Sequence, residues 1–168
     1  MPTILLYGDG GSRGNPGKAA SGFVIYEEIK KEQVKTKKAS GSLFDPQTQD
    51  SISTRDKESS GNELVFKGGK YLGITTNNQA EWQALTLGME KIIEMYTASE
   101  IYLKVFLDSE LVIKQAKGIY RVKNLDLKPH FEKLKILQKS FQKVEFNHVF
   151  REFNKEADRA VNEILDEN

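Results

Sequence analysis

The stretch Ile4-Leu5-Leu6-Tyr7-Gly8-Asp9-Gly10-Gly11-Ser12-Arg13-Gly14-Asn15-Pro16-Gly17 sets the terms for the rest of the chain. A short apolar run stops at one carboxylate, and a loop with four glycines in eight residues, Gly10 to Gly17, follows. An apolar run bounded by breakers reads as a buried strand. Asp9 then stands at the strand's end, where rigid backbone would hold a functional carboxylate in place. The glycines lack Cβ atoms, so the backbone beside Asp9 can approach a ligand closely. Asp-Gly is equally ordinary turn chemistry, and at this point both readings of Asp9 stand open.

Working outward, Ser21 to Tyr26 reads as a second strand and Leu64 to Leu72 as a third, with Gly68-Gly69 as a bulge or tight turn. Between them the chain turns polar, and residues 35–61 read as a flexible insertion. From Thr76 to Met95 the period changes to helical, with Ala80, Ala84, Leu85, Gly88, Met89, Ile92 and Ile93 on one stripe. Ile101 to Leu107 is a further strand, again ending on a carboxylate, Asp108. A short helix from Ser109 to Ala116 follows, then a second spaced by Leu127, Phe131, Leu134, Leu137 and Phe141, with Pro129 in its first turn. Val144 to Phe150 alternates as a strand, and Asn154 to Leu165 is a last helix capped by Asn154. The order β-β-β-α-β-α-α-β-α argues for a mixed sheet with helices packed on it.

Composition narrows the class. A chain of 168 residues with 38% hydrophobic residues is expected to form one domain, 1–168. No apolar run reaches the ~18 residues that a membrane span needs, and no leader pattern is visible at the N-terminus. With no cysteine, disulfides and thiolate metal sites are excluded, which fits a cytoplasmic setting. The net charge of +1 hides a segregation. Between Lys114 and Lys143 stand nine basic residues (Lys114, Lys117, Arg121, Lys123, Lys128, Lys133, Lys135, Lys139 and Lys143) against Asp126 and Glu132, a local excess of +7. Such an excess marks either a polyanion-binding surface or a solvated helix face.

Asp9 and Asp108 each end a strand, and on parallel neighbours both would emerge at the carboxyl edge, where open α/β sheets bind ligands. Glu81 shares the apolar stripe of the long helix and sits in its first turn, while Asp158 lies one turn into the last helix. Each has an ordinary alternative: Glu81 could complete a capping box with Asn78, and Asp108 and Asp158 could serve helix N-termini. Four inward carboxylates without compensating cations would be costly to ionise together, and hard divalent metals relieve that cost.

Four stretches in this order resemble the motifs of the type 1 ribonuclease H family. They are Tyr7 to Gly17, Thr75-Thr76-Asn77-Asn78-Gln79-Ala80-Glu81, Leu107-Asp108-Ser109-Glu110-Leu111-Val112, and Arg151-Glu152-Phe153-Asn154-Lys155-Glu156-Ala157-Asp158. The resemblance covers nearly the whole chain. It implies an α/β ribonuclease H-like fold with a five-stranded mixed sheet, and hydrolysis of the RNA strand of RNA–DNA hybrids to 5′-phosphate and 3′-hydroxyl ends. It implies that Asp9, Glu81, Asp108 and Asp158 hold two Mg²⁺ ions, with Mn²⁺ as a substitute. It also assigns substrate contacts to Gly10, Gly11, Ser12, Asn15, Asn77, Asn78, Gln79 and Ser109, with Arg121 and Lys123 on phosphates. The partner is the hybrid alone: no membrane and no protein partner are implied, and a monomer is expected. An inactive hybrid-binding module and a related two-metal 3′ exonuclease are the alternatives.

Two departures from the family pattern stand out. Lys117 to Asn124 reads as a shortened connection where many members carry a helix and a basic protrusion. The segment Phe150 to Asn154 lacks the loop histidine found in many members, leaving water, Arg151 or Glu152 for its task. His148, sharing strand parity with Val144, Phe146 and Phe150, reads as a packed histidine, and His130 as a surface or helix-start residue.

Overall fold

Strand β1 (Thr3–Gly14) is the centre of a five-stranded sheet of order β3-β2-β1-β4-β5. The computed structural model describes residues 1–30 and 61–168. Strands β1, β2 (Gly17–Glu28) and β3 (Asn62–Thr75) form an antiparallel meander, while β4 (Tyr102–Leu107) and β5 (Lys143–His148) add parallel to β1 on its other side. Helices α1 (Asn77–Met95), α2 (Glu110–Ala116), α3 (Lys128–Gln138) and α4 (Lys155–Glu167) complete the order. The expected sequence of elements and the mixed sheet are what the chain forms.

Alternation along β1 assigns its two faces. Ile4 and Leu6 enter the main core with Trp82, Leu85, Met89 and Ile92 of α1, and with Leu103, Val105 and Leu107 of β4. Gly11 faces the other way, against Val161 of α4. There Ala20, Val161 and Leu165 form a smaller cluster. Full burial of Trp82 and its large aliphatic neighbours removes from water about 1.5–3 kcal/mol worth of apolar surface per side chain, which fixes α1 against the sheet.

Several boundaries differ from the sequence reading. The glycine segment is not a loop: β1 runs unbroken through Asp9 to Gly14, pairing Asp9 with Gly22 and Gly10 with Ser21. What ends at Gly8 is the parallel pairing with β4, because β4 stops at Leu107. Gly10 and Gly11 persist in the strand because helices press on it, whereas Gly14, at φ 96°, serves the turn. A Cβ on Gly10 would lie 2.2 Å from Ala80 C and Glu81 N of α1. Gly68 and Gly69 pair regularly with Phe23 and Gly22, and the register shifts of β3 fall at the Ala19/Ala20 and Ile25/Tyr26 steps of β2 instead. Phe141 lies beyond α3, buried after the helix has ended. The proposed insertion 35–61 lies outside the described residues except for Gly61, whose carbonyl accepts from the Ile29 N–H at 2.7 Å. No helix among the described residues is long and apolar enough to cross a membrane.

Candidate active site

Three elements deliver three carboxylates to the carboxyl edge of β1 and β4. Asp9 comes from within β1 and is 6% exposed. Asp108 follows the last residue of β4, one position past the end of its pairing with β1. Glu81 comes from α1, whose backbone touches Gly10 closely enough that no side chain fits between them. Carboxylate oxygens of Asp9, Glu81 and Asp108 all lie within 4.8 Å of one another. Asp158 of α4 lines the same cleft, about 480 Å³ in volume, with Arg13, Asn77, Arg151 and Asn162. It falls outside the three-residue set but lies near enough to help raise the Asp9 pKa.

Local structure explains each placement. Thr76 caps α1, its hydroxyl accepting from the Gln79 N–H at 3.3 Å, so Asn78 is not the cap and Glu81 lies beyond the first turn. The capping-box alternative for Glu81 is thereby removed. Ser109 caps α2 by accepting from the Val112 N–H, and its side chain opposes the rise of the Glu81 pKa. Asn154 occupies the cap position of α4 without capping it. Its Nδ2 instead donates to the Gly8 carbonyl at 2.8 Å, pinning the start of α4 to β1 one residue before Asp9. Gly22 of β2 allows α4 in close, since a Cβ there would lie 2.8 Å from Ala157 O and from Val161 N.

The electrostatics follow from crowding. Burial, then the charges of Asp108, Asp158 and Glu81, push Asp9 up to about 8. Burial also pushes Glu81 up to about 7, opposed by the Ser109 side chain and the Arg151 charge. Asp108 is raised by burial, with Arg151 again opposing. Arg151, on the turn Arg151–Phe153, faces these acids, its Nη2 3.8 Å from Asp158 Oδ1, and Arg13 lines the same cleft. A set of hard oxygen donors that resists ionising together is the chemistry that a divalent cation satisfies.

The expected substrate contacts are arranged unevenly. Gly10, Gly11, Ser12 and Asn77 line the cleft. The Ser12 N–H donates to Asn77 Oδ1 at 2.9 Å, and Asn15 Oδ1 accepts from the Asn77 N–H at 3.1 Å. These residues therefore brace the β1–β2 hairpin tip against the start of α1. Gln79 Oε1 accepts from the Thr75 hydroxyl, and Asn78 is exposed. Arg121 and Lys123 are exposed on the non-helical connection between α2 and α3, outside the cleft.

His148 is not packed: it is exposed at the end of β5, its Nε2 3.2 Å from the Asp108 carbonyl oxygen. β5 is an edge strand, and its last residue stands uncovered. His130 stands in the first turn of α3, half-buried. Sequence reasoning missed Asn162, which lines the cleft and donates to the Asp158 carbonyl at 3.1 Å and to Asp158 Oδ2 at 3.4 Å. Its helical spacing from Asp158 was the available signal.

Residues 55–164 match the family described as reverse transcriptase-like. Among curated relatives, ribonuclease HI of Halobacterium salinarum is 31% identical over 98% of this chain and 65% of its own length. The bifunctional protein Rv2228c of Mycobacterium tuberculosis is 26% identical over 97% of this chain and 35% of its own. The chain thus spans about a third of the mycobacterial relatives it matches. Among solved structures, RNase H1 of Halobacterium salinarum superposes with a TM-score of 0.74 at 29% identity, covering 99% of both chains. LC11-RNase H1, crystallised with an RNA/DNA hybrid, gives 0.72 at 31% identity over 98% of this chain and 97% of that one. The fold and the motif order define a ribonuclease H-like protein. The chain belongs to the reverse transcriptase-like family and, within it, to the type 1 ribonucleases H.

Proposed function

We propose that this chain is an endoribonuclease that hydrolyses the RNA strand of RNA–DNA hybrids, with residues 1–168 as one ribonuclease H domain. Asp9, Glu81, Asp108 and Asp158 would hold the divalent cations, Mg²⁺ or Mn²⁺ and two during catalysis, as the resemblance implies. When bound, such cations supply Lewis acidity to the phosphodiester and acidify the attacking water. The chain's own contribution is to hold its carboxylates fixed and crowded, so that a bound cation is what favours their ionised form. Asp9 rides on the central strand, Glu81 projects from α1 where it presses on Gly10, and Arg151 and Arg13 bring guanidinium groups to the cleft. In the reaction, water oxygen bonds to phosphorus and the bond to the 3′ oxygen breaks, leaving 5′-phosphate and 3′-hydroxyl ends.

Strand choice rests on the ribose 2′-hydroxyl, which separates RNA from DNA. The braced hairpin tip carrying Gly10, Gly11, Ser12 and Asn15, with Asn77, Asn78, Gln79 and Ser109, would read it. Arg121 and Lys123 would take phosphates. The observation that carries the proposal is the set of three carboxylates within 4.8 Å, with Asp9 driven up to about 8. A substrate panel tests it: hybrid, single-stranded RNA, duplex RNA and duplex DNA, each with Mg²⁺. RNA-strand cleavage in the hybrid, with products bearing a ligatable 5′-phosphate, is expected. Equal cutting of single-stranded RNA, or any cutting of the DNA strand, would overturn it.

A further inference from the structure

Two phenylalanines stand far out in solvent on the segment that flanks Arg151, Phe150 at 69% and Phe153 at 66% exposure. Among the described residues, the other large apolar side chains more than 60% exposed, Ile74, Ile119, Leu125 and Ile136, are aliphatic and lie on β3, on the α2–α3 connection and on α3. Phe153 belongs to a separate cavity of about 260 Å³ with Tyr7, Tyr26 and Asn154. Phe150 does not line that cavity. Its ring meets His148 nearly edge-on, at 5.8 Å and 72°. His148 in turn touches the carbonyl of Asp108, and Arg151, the next residue after Phe150, lines the acid cleft.

The backbone around Phe150 is held on both sides. Just before it, the Val149 N–H donates to the Leu107 carbonyl at 2.9 Å. Just after it, the Phe153 N–H donates to the Phe150 carbonyl at 2.9 Å, and Asn154 ties the turn to β1. The backbone that carries this exposed ring is therefore held on both sides, one residue before Arg151 of the acid cleft. A phosphate strand approaching this cleft meets carboxylates that repel it. A neutral ring next to Arg151 can hold the strand without regard to charge or to sequence, because every base has a face on which to stack.

We propose that Phe150 is a stacking contact for the nucleic acid, lying against a base or sugar of the strand that enters the acid cleft; this rests on the hybrid-cleavage reading above. His148 braces the ring, and Arg151 takes the neighbouring phosphate. Removing the ring costs affinity and leaves the charge contacts as they were, so the salt slope stays unchanged.

The experiment compares wild type with Phe150→Ala, Phe150→Leu and Phe150→Trp on one hybrid, across a salt series. Phe150→Ala is expected to raise KM about tenfold, with little change in kcat and the same salt slope. Phe150→Trp should restore KM and Phe150→Leu should not. Binding of Phe150→Trp, in an Asp9→Asn background, should quench its fluorescence, because Trp82 is the only native tryptophan and is fully buried. That measurement decides the matter even where the alanine variant folds poorly. Hybrid cleavage with an unaltered KM in Phe150→Ala, a leucine as good as a tryptophan, or no quench sinks this inference alone. A wild type that leaves the hybrid intact sinks the functional reading, and this inference with it.

Discussion

Asp9 is held in the least favourable place for a charge: 6% exposed, in the central strand, beside three other acids. Its folded value near 8 lies above its ordinary value near 3.8, so the folded state binds this proton more tightly than the unfolded chain does. The resulting stability is fully present below about pH 4 and is lost as pH rises through about 8. In a chelator, the protein should therefore melt lower at pH 8 than at pH 5, while Asp9→Asn, which has no charge to desolvate, loses less. Thermal melts should show the variant ahead at pH 8 by on the order of 5 °C, and Mg²⁺ should raise the wild type more than the variant. Identical pH profiles would contradict the crowding account. Asn154 makes a second test at this scale. Removing its amide in Asn154→Ala leaves the buried Gly8 carbonyl without its donor and should cost about 1–3 kcal/mol in urea unfolding.

At the scale of elements, the packing of α1 and α4 on glycines is what turns separate carboxylates into a site. Gly10→Ala would put a methyl 2.2 Å from the α1 backbone, so α1 must shift and carry Glu81 with it. A loss of about 2–3 kcal/mol in stability is expected, together with a fall in hybrid cleavage larger than the stability loss alone produces. Urea midpoints and kcat measured side by side check this, and a fully active, stable variant would contradict it. Much of this scale was legible in the sequence. The run Ile4 to Tyr7, the helical stripe through Ala84 and Ile92 and the strand ending at Leu107 are local patterns, and periodicity reports local patterns. What it could not report is why Gly10 and Gly11 are glycines. Their composition suggests a loop, but the cause is tertiary: helices press on a continuous strand. The same limit hid the role of Asn154, since a side chain that leaves its own helix to bond β1 has no local signature. His148 misled because parity along β5 says which face a residue takes, not whether anything covers that face.

For the whole molecule, the charge distribution is the remaining lever. The carboxylates gather at one edge of the sheet, while the basic excess lies on the α2–α3 connection and α3. If the exposed Arg121 and Lys123 contact phosphates, replacing both with alanine should raise KM at every sequence tested and reduce its salt slope by about two. An unchanged slope would return that stretch to a solvated surface. The element order was readable because four motifs fall on the expected elements. The meeting of their carboxylates was not, since convergence depends on register between β1 and β4 and on how closely α1 and α4 approach. The most direct test of the central claim labels the two strands of one hybrid differently and follows both with wild type and Asp9→Asn, in Mg²⁺ and in EDTA. The account requires rapid loss of the RNA strand alone, only with wild type and only with Mg²⁺. Full RNA cleavage by Asp9→Asn, or in EDTA, would contradict it.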